Sequence, residues 1–379
     1  MTLLKTLKYS YNDISIVPSV ITYICHRSEC NPFIDGKLPL FTAPMSSVVD
    51  EHNFDLFERQ GINAILPRTT DLELRISFAS KGKWAAFGIN EFHDAFIKKT
   101  VQGKKIKALI DVANGHMSKV ISLVKDFKEK YNVCENEIMV GNIANPLTYT
   151  EFAKVGADYI RCGIGGGEGC LTTSNTAVHY PMASLIDETF ELKKLVKEQA
   201  AKGTISVKSI PKIIADGGVR NYSDAIKALA LGADYVMIGG LFARMVESAA
   251  EPFMKVGTSY RKVQMKDFNE YNVVQYCDGW KMVKVDDKTQ VEYYPKLFKP
   301  FFGMASKKAQ RLMHVQETRT SEGLDKIVEV KYTLGQWVDN FIDYMRSAMS
   351  YTNHRTLNDF ISNTTTSIIS NNCYMSVNK

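Results

Sequence analysis

Short apolar runs recur along the chain and alternate with longer amphipathic stretches. Eight runs of six or seven residues predict strands, because each is nearly continuous in apolar residues and rich in β-formers. They are PLFTAP (39–44), INAILP (62–67), WAAFGI (84–89), IKALIDV (106–112), EIMVGNI (137–143), ADYIRCG (157–163), KIIADGG (212–218) and DYVMIGG (234–240). Strands of this kind are typical of parallel sheets that are covered on both faces.

The stretches between these strands carry helical periodicity. Residues 116–131 place Val120, Leu123, Val124 and Phe127 on one face, and residues 221–232 show the same spacing before a terminal glycine. Eight strands alternating with helices predict an α/β fold of the (β/α)8 TIM-barrel type. A doubly wound open sheet is the alternative, and both folds place their chemistry at the carboxyl ends of the strands.

The alternation ends after the eighth strand. Residues 257–300 are rich in aromatic and charged residues with strand-like alternation, and they predict a hairpin or excursion over the barrel mouth. Residues 336–351 predict a closing helix, and the polar residues 352–379 an extended C-terminal tail. We therefore expect a single catalytic domain over 1–379, with a lid over 257–322 and no inserted CBS domains.

Composition and charge narrow the class of protein. The chain has 379 residues, of which 45% are hydrophobic and 23% charged, with a formal net charge of +6. Basic residues are scattered, so no nucleic-acid groove is predicted. No apolar run is long enough to span a membrane. The seven cysteines form no CxxC pair, which favours a reducing compartment, the cytoplasm, over a disulfide scaffold.

Glycine-rich loops follow several strands. ADGGVR and IGGLFA follow the seventh and eighth, so the backbone N–H groups of Gly217, Gly218, Gly239 and Gly240 could hold a phosphate. Turn formation alone is the alternative for these glycines. Asp216 precedes the first pair, where its carboxylate could accept hydrogen bonds from a ribose diol or cap a turn.

The stretch GIGGGEGCLTT (163–173) surrounds Cys170 with bare backbone. A thiol in a glycine loop past a barrel strand is a candidate nucleophile, and nearby N–H dipoles favour its thiolate. Thr172 could pass a proton to or from it. Cys162 lies within the strand and is predicted to be a core residue.

Seven motifs in order identify a resemblance. IDVANGH, GNIA, GIGGGEGCLTT, IADGGVR, GADYVMIGGLFA, FFGMAS and TRTSEG resemble those of the IMP dehydrogenase and GMP reductase family. The resemblance implies a (β/α)8 barrel, usually a homotetramer, in which Cys170 attacks C2 of a purine nucleotide with help from Thr172 and Glu322. It further implies substrate contacts and a cofactor site for NADPH. The substrate contacts are Met45, Asp216, Gly217, Gly218, Gly239, Gly240, Met304, Ser306 and Arg319, and the cofactor contacts are Arg68, Asp111, Ala113 and Asn114. Backbone carbonyls of Gly165, Gly167 and Cys170 could hold K⁺.

The motifs favour the reductase branch of this family. DVANGH, TRTSEG and the tail TTTSIIS (364–370) are closer to the reductase, whereas IADGGVR is closer to the dehydrogenase. The expected reaction is the NADPH-dependent conversion of GMP, or a related guanine derivative, to IMP with release of ammonia. The alternatives are a dehydrogenase that oxidises IMP to XMP with NAD, and a non-catalytic purine-binding barrel.

One residue departs from the family pattern next to the candidate nucleophile. Glu168 stands where the family usually has a serine that contacts the substrate phosphate. A carboxylate would repel a phosphate dianion unless it is protonated, turned away or bridged by a cation. The sequence therefore raises the hypothesis that the ligand is modified at that end, as in a nucleoside or a different purine derivative.

Overall fold

A closed barrel of eight parallel strands forms the centre of the molecule. The computed structural model describes residues 6–101, 105–131, 135–168, 170–256, 258–263, 271–276, 279–286, 289–290, 297–313 and 323–377. The barrel strands are β1 (Leu40–Thr42), β2 (Ile65–Leu66), β3 (Trp84–Phe87), β4 (Lys107–Asp111), β5 (Glu137–Ile143), β6 (Tyr159–Cys162), β7 (Lys212–Asp216) and β8 (Tyr235–Ile238).

Each of the strands β2 to β7 pairs in parallel with the next in sequence, and β1 pairs with β8 through Leu40 and Val236. A bridge from Phe41 to Asn63, just before β2, closes the ring. The predicted (β/α)8 barrel is confirmed, and so are the eight predicted strands.

Large side chains fill the inside of the barrel. Phe41, Trp84, Tyr159 and Tyr235 pack edge to face or tilted there, for example with ring centroids 5.1 Å apart for Phe41 and Tyr235. Because side chains alternate along a strand, the residues between them face outward and pack against the helices. The interior is therefore a packed core.

Amphipathic helices cover the outside. The helix Ser118–Lys130 buries the four residues predicted from its periodicity, and Asn221 caps Tyr222–Ala230 by accepting the Asp224 N–H. The predicted closing helix extends over Leu334–Tyr351. The other helices are Phe54–Arg59, Leu72–Ser80, Ile89–Phe92, the π-helix His93–Lys98, Thr148–Val155, Thr172–Thr176, Met182–Ala201 and Lys307–Leu312, with short 3₁₀ turns at Tyr11–Asp13, Arg27–Glu29 and Phe242–Arg244.

Antiparallel strands follow the barrel, as the alternation after β8 predicted. Strands Phe253–Val256, Ser259–Lys262, Leu297–Phe302 and Asp325–Glu329 form one sheet. Strand Tyr271–Tyr276 forms a hairpin with Gly279–Asp286, and Thr289–Gln290 adds a third strand. Buried Lys299 anchors the first sheet to the barrel, since its ammonium group donates 2.7 Å hydrogen bonds to the Val246 and Ser248 carbonyls.

The tail over 352–379 is not uniformly extended, in contrast to the prediction. It contains the helices Leu357–Asn363 and Asn371–Val377 and the strand Thr366–Ile368. That strand pairs with Ile14–Ile16 near the other end of the chain, and Leu357 and Phe360 are buried. Packing of these apolar residues explains why the segment is ordered despite its polar composition. In the part of the chain that the structure describes, no helix is long and apolar enough to cross a membrane.

Candidate active site

A cavity of about 230 Å³ opens at the carboxyl ends of the barrel strands. It is lined by residues at the ends of β4, β6, β7 and β8, by residues of the loops after these strands and after β1, and by residues 301, 303–305 and 323. The structure brings together at this cavity most of the residues predicted from the sequence. They are Met45, Asp111, Ala113, Gly167, Cys170, Thr172, Asp216, Gly217, Gly218, Gly239, Gly240 and Met304.

Cys170 lies half-buried in the cavity wall. Its thiol donates a hydrogen bond to the Thr172 hydroxyl, with Sγ 3.2 Å from Oγ1. Its N–H donates to the Gly167 carbonyl at 3.0 Å, and its backbone forms a bridge with Gly323. The loop is therefore held from two sides, and the sulfur lies beside a hydroxyl that can exchange its proton.

Cys162 lies elsewhere, as predicted. It is fully buried in β6, and burial raises the pKa of its thiol to about 12. A thiol in this environment stays protonated and has no access to a ligand. Of these two thiols, only Cys170 can react with a molecule in the cavity.

Asp216 at the end of β7 is held by two neighbours through one of its oxygens. Arg161 donates to Oδ2 at 2.8 Å, and the Asn142 side-chain amide donates to the same oxygen at 2.7 Å. All the hydrogen bonds that described residues make with this carboxylate end on Oδ2. Oδ1 therefore keeps its lone pairs for a ligand donor such as a ribose hydroxyl.

Arg161 is a site residue that the sequence reasoning missed. It is buried in β6 and bridges Asp216 and Asp111, with its Nη1 2.5 Å from Asp111 Oδ1. Burial opposes its charge, but the two carboxylates outweigh burial and raise the pKa of the guanidinium. The signal was a charged residue inside an apolar strand: Arg161 lies two positions after inward-facing Tyr159, so alternation points it inward.

Twin-glycine turns form one end of the cavity. Gly217 and Gly218 have φ of +120° and +75°, which favour glycine, and the Gly218 N–H donates to the Gly166 carbonyl at 2.7 Å. A Cβ at Gly240 would clash with Oε2 of Glu168. The space against this turn is thus filled by a side chain of the protein itself.

Glu168 is bridged by two cations. Its Oε1 accepts from Arg244 at 2.7 Å and from Lys326 at 2.6 Å. Burial opposes ionisation, but Lys326 and Arg244 outweigh it and hold the pKa of this carboxyl below its ordinary value. Glu168 is therefore a carboxylate at neutral pH. Of the three possibilities, protonation, turning away and bridging by a cation, the structure shows bridging.

The cavity lining does not include Arg68, Asn114 or Ser306. The guanidinium of Arg68 pairs with Glu91 at 3.2 Å, and the Asn114 side-chain oxygen accepts the His116 N–H at 3.1 Å. Ser306 is buried, and its hydroxyl caps the helix Lys307–Leu312. Arg319 and Glu322 lie outside the described residues. The side chains of Arg68, Asn114 and Ser306 each contact a neighbouring residue of the protein instead. The sequence motifs did not indicate these contacts.

The potassium site stays a prediction. The Gly167 carbonyl accepts the Cys170 N–H, and a Cβ at Gly165 would clash with the Thr173 hydroxyl. Over the described ranges, no group of three or more His, Cys, Asp or Glu side chains could hold a metal ion.

His116 in the loop after β4 predicts a pH dependence of stability. Its Nε2 accepts the Ala144 N–H at 3.0 Å, which leaves Nδ1 to donate to Thr148. Burial lowers the pKa of this imidazole below 6.5, so the fold favours the neutral form. The folded state therefore binds fewer protons than the unfolded state, and stability falls as the pH drops below 6.5.

Urea unfolding at pH 7.5 and pH 5.5 checks this effect. We expect His116→Gln to lose less stability between the two pH values than the unmodified protein does. His52→Gln, at an imidazole with 84% side-chain exposure, is the control and should leave the difference unchanged. An equal pH dependence in all three proteins would contradict the prediction.

Comparison with known sequences shows which proteins this chain resembles. A sequence model of the IMP dehydrogenase / GMP reductase domain matches residues 8–268. The chain is 31% identical over 267 residues to GMP reductases of Staphylococcus aureus strains JH9 and Newman, which covers 67% of this chain and 77% of theirs. The chain belongs to the IMP dehydrogenase/GMP reductase family.

Family membership gives the general class of this protein. The two names of the IMP dehydrogenase/GMP reductase family describe oxidoreductases of purine nucleotides, so the chain is a member of a purine nucleotide oxidoreductase family. The family match includes the loops of Cys170, Asp216 and Gly240. It ends at residue 268, so the roles expected of Met304, Ser306, Arg319 and Glu322 stay predictions.

Proposed function

We propose that this protein is a GMP reductase-like enzyme that removes the 2-amino group of a guanine derivative reductively. The observation that carries the proposal is the Cys170 thiol, hydrogen-bonded to Thr172 in the same cavity wall as Asp216. A binding protein has no use for a thiol beside a hydroxyl at its ligand. The product is the corresponding hypoxanthine derivative, with ammonia released.

The expected reaction has two stages. The Cys170 thiolate forms a C–S bond to C2 of the purine, and the C2–N bond breaks as the amino group leaves as ammonia. A hydride is then added at C2, and the C–S bond breaks to return the thiolate. Covalent catalysis of this kind divides one difficult displacement into two easier steps.

Proton transfer accompanies both stages. Thr172 lies 3.2 Å from the Cys170 sulfur, where its hydroxyl can accept the thiol proton and pass it on. The family resemblance assigns Glu322 as the general acid that protonates the leaving amine. Acid–base help of this kind is worth ~10²–10⁴-fold in rate.

NADPH, when bound, supplies the hydride and the two electrons of the reduction. Asp111 and Ala113 fit a role in holding it, since both line the cavity that Cys170 lines. Arg68 and Asn114 contact Glu91 and His116 outside the cavity, and their cofactor role rests on the family resemblance alone. We also propose a homotetramer in the cytoplasm, on the family resemblance alone.

An IMP dehydrogenase that uses NAD is the second candidate, and the stretch IADGGVR (214–220) favours it. A single set of assays separates the candidates. We expect NADPH to be consumed with guanosine or GMP, and no NAD⁺ to be reduced with inosine or IMP. The reverse pattern would make the protein a dehydrogenase, and no turnover in either direction would favour a non-catalytic purine-binding barrel.

A further inference from the structure

The end of the cavity near the twin-glycine turns already contains an anion. Glu168 places Oε2 against Gly240 and directs Oε1 to Arg244 and Lys326. Glu168 and Gly240 both line the cavity. The carboxylate therefore occupies the position in which the glycine turns were expected to receive a phosphate.

The hydrogen-bond donors at this end are partly used by the protein itself. The Gly218 N–H donates to the Gly166 carbonyl, and both Arg244 and Lys326 donate to the carboxylate. Both cations are half-buried, with side chains 22% and 33% exposed, so they are not simply solvated surface charges. A phosphate dianion would have to displace Glu168 from both of them or lie directly against it.

We propose that the ligand of this site is a purine nucleoside, whose 5′-hydroxyl donates a hydrogen bond to Oε2 of Glu168, rather than a nucleoside 5′-monophosphate. This inference rests on the proposed purine chemistry at Cys170. A hydroxyl can donate to a carboxylate, whereas a phosphate dianion can only accept and is repelled.

The rest of the cavity fits the same ligand. Asp216 keeps Oδ1 for the ribose hydroxyls, so carboxylates would receive hydroxyl donors at both ends of the sugar. The alternative is that Glu168 turns away and that Arg244 and Lys326 bind a phosphate instead. That rearrangement needs two charge-assisted hydrogen bonds to break, and it is the competing outcome in the experiment.

Calorimetric titration of the unmodified protein with guanosine and with GMP tests the inference. We expect guanosine to bind at least ~10-fold more tightly, because like charges brought together in a half-buried site disfavour the nucleotide. In Glu168→Ser the order should reverse, since Arg244 and Lys326 are then free for the phosphate. Glu168→Gln, which keeps the shape and removes the charge, should reduce the preference for guanosine.

The control is Glu251→Ser. Glu251 forms an exposed ion pair with Lys262, so this variant changes the net charge of the protein by the same amount away from the cavity. It should keep the preference of the unmodified protein. Loss of the preference in this variant would show that overall charge, not Glu168, sets it, and would overturn the inference.

The outcomes also separate this inference from the proposed function. Tighter binding of GMP than of guanosine by the unmodified protein would overturn the nucleoside assignment and leave the purine chemistry at Cys170 intact. If guanosine, GMP, inosine and IMP all failed to bind, the proposed function would fall and the inference with it. The comparison needs only the unmodified protein, so a variant that fails to fold does not prevent the test.

Discussion

Replacement of Cys170 by alanine is expected to lower kcat for reduction of the guanine substrate by at least ~10⁴-fold. The Cys170 thiolate forms the bond to C2. Without this thiolate, the covalent intermediate that accepts the hydride cannot form, and a water molecule cannot take the place of the sulfur. Cys170 is half-buried in a loop, so its truncation should leave the barrel intact. Single-turnover kinetics and intact-mass detection of a purine adduct, present in the unmodified protein and absent from the variant, measure the effect.

Cys162→Ala provides the matched control. Cys162 is a thiol at the end of β6, before the loop that carries Cys170, but it is buried in the core. We therefore expect Cys162→Ala to lower the free energy of unfolding by about 1–2 kcal/mol and to keep kcat within ~3-fold of the original value. Guanosine binding by Cys170→Ala shows that its cavity is intact. If this variant kept more than a small fraction of the original turnover, covalent catalysis at C2 would be wrong.

Replacement of Arg161 by methionine is expected to be the most destabilising change at the site. Arg161 is 6% exposed and neutralises Asp111 and Asp216 at once, so its loss leaves two partly buried carboxylates without a cationic partner among the described residues. Removing one partner of a buried ion pair costs about 3–5 kcal/mol. Urea unfolding measures the free energy, and calorimetry should show weaker guanosine binding because Asp216 loses the group that orients it.

Arg27→Met is the control for this change. Arg27 forms an exposed ion pair with Asp343 at 3.0 Å, and exposed pairs contribute less than about 1 kcal/mol. Arg161→Lys keeps a positive charge but not the planar group that reaches both carboxylates, so it should fall between the two variants. Equal destabilisation by Arg161→Met and Arg27→Met would show that the buried network contributes no more than a surface pair.

The barrel could be predicted because its signal is local. Each strand is a continuous apolar run, and each helix between strands repeats its apolar residues at helical spacing, as Val120, Leu123, Val124 and Phe127 do. The loops that carry Cys170 and Asp216 could be placed at one end of the barrel for the same reason, since parallel strands share one carboxyl edge.

The charged network of the site could not be predicted, because its partners are distant in sequence. Glu168 meets Arg244, 76 positions away, and Lys326, 158 positions away. The sequence indicated that Glu168 is bridged by a cation, protonated or turned away from the ligand. The residues next to it in the sequence do not decide between these possibilities. Arg161 was different, because a charged residue two positions after Tyr159 in an apolar strand is predicted by alternation to point into the barrel.

The tail contains a second pattern from which its structure could have been predicted, the spacing of its apolar residues. Its polar composition predicted an extended segment, but Leu357, Phe360 and Ile361 have helical spacing and all three are buried. Composition averages over a segment, whereas burial depends on where the few apolar residues fall. Periodicity was the better guide here, as it was in the barrel.

The pairing of strand Ile14–Ile16 with Thr366–Ile368 has a consequence for synthesis of the protein on the ribosome. Ile14 pairs with Ile368, so all eight barrel strands are translated between these two partners. Contacts of such long sequence separation form late in folding. During translation the barrel strands can associate as they appear, while Ile14–Ile16 keeps an unpaired edge until Thr366–Ile368 has left the ribosome.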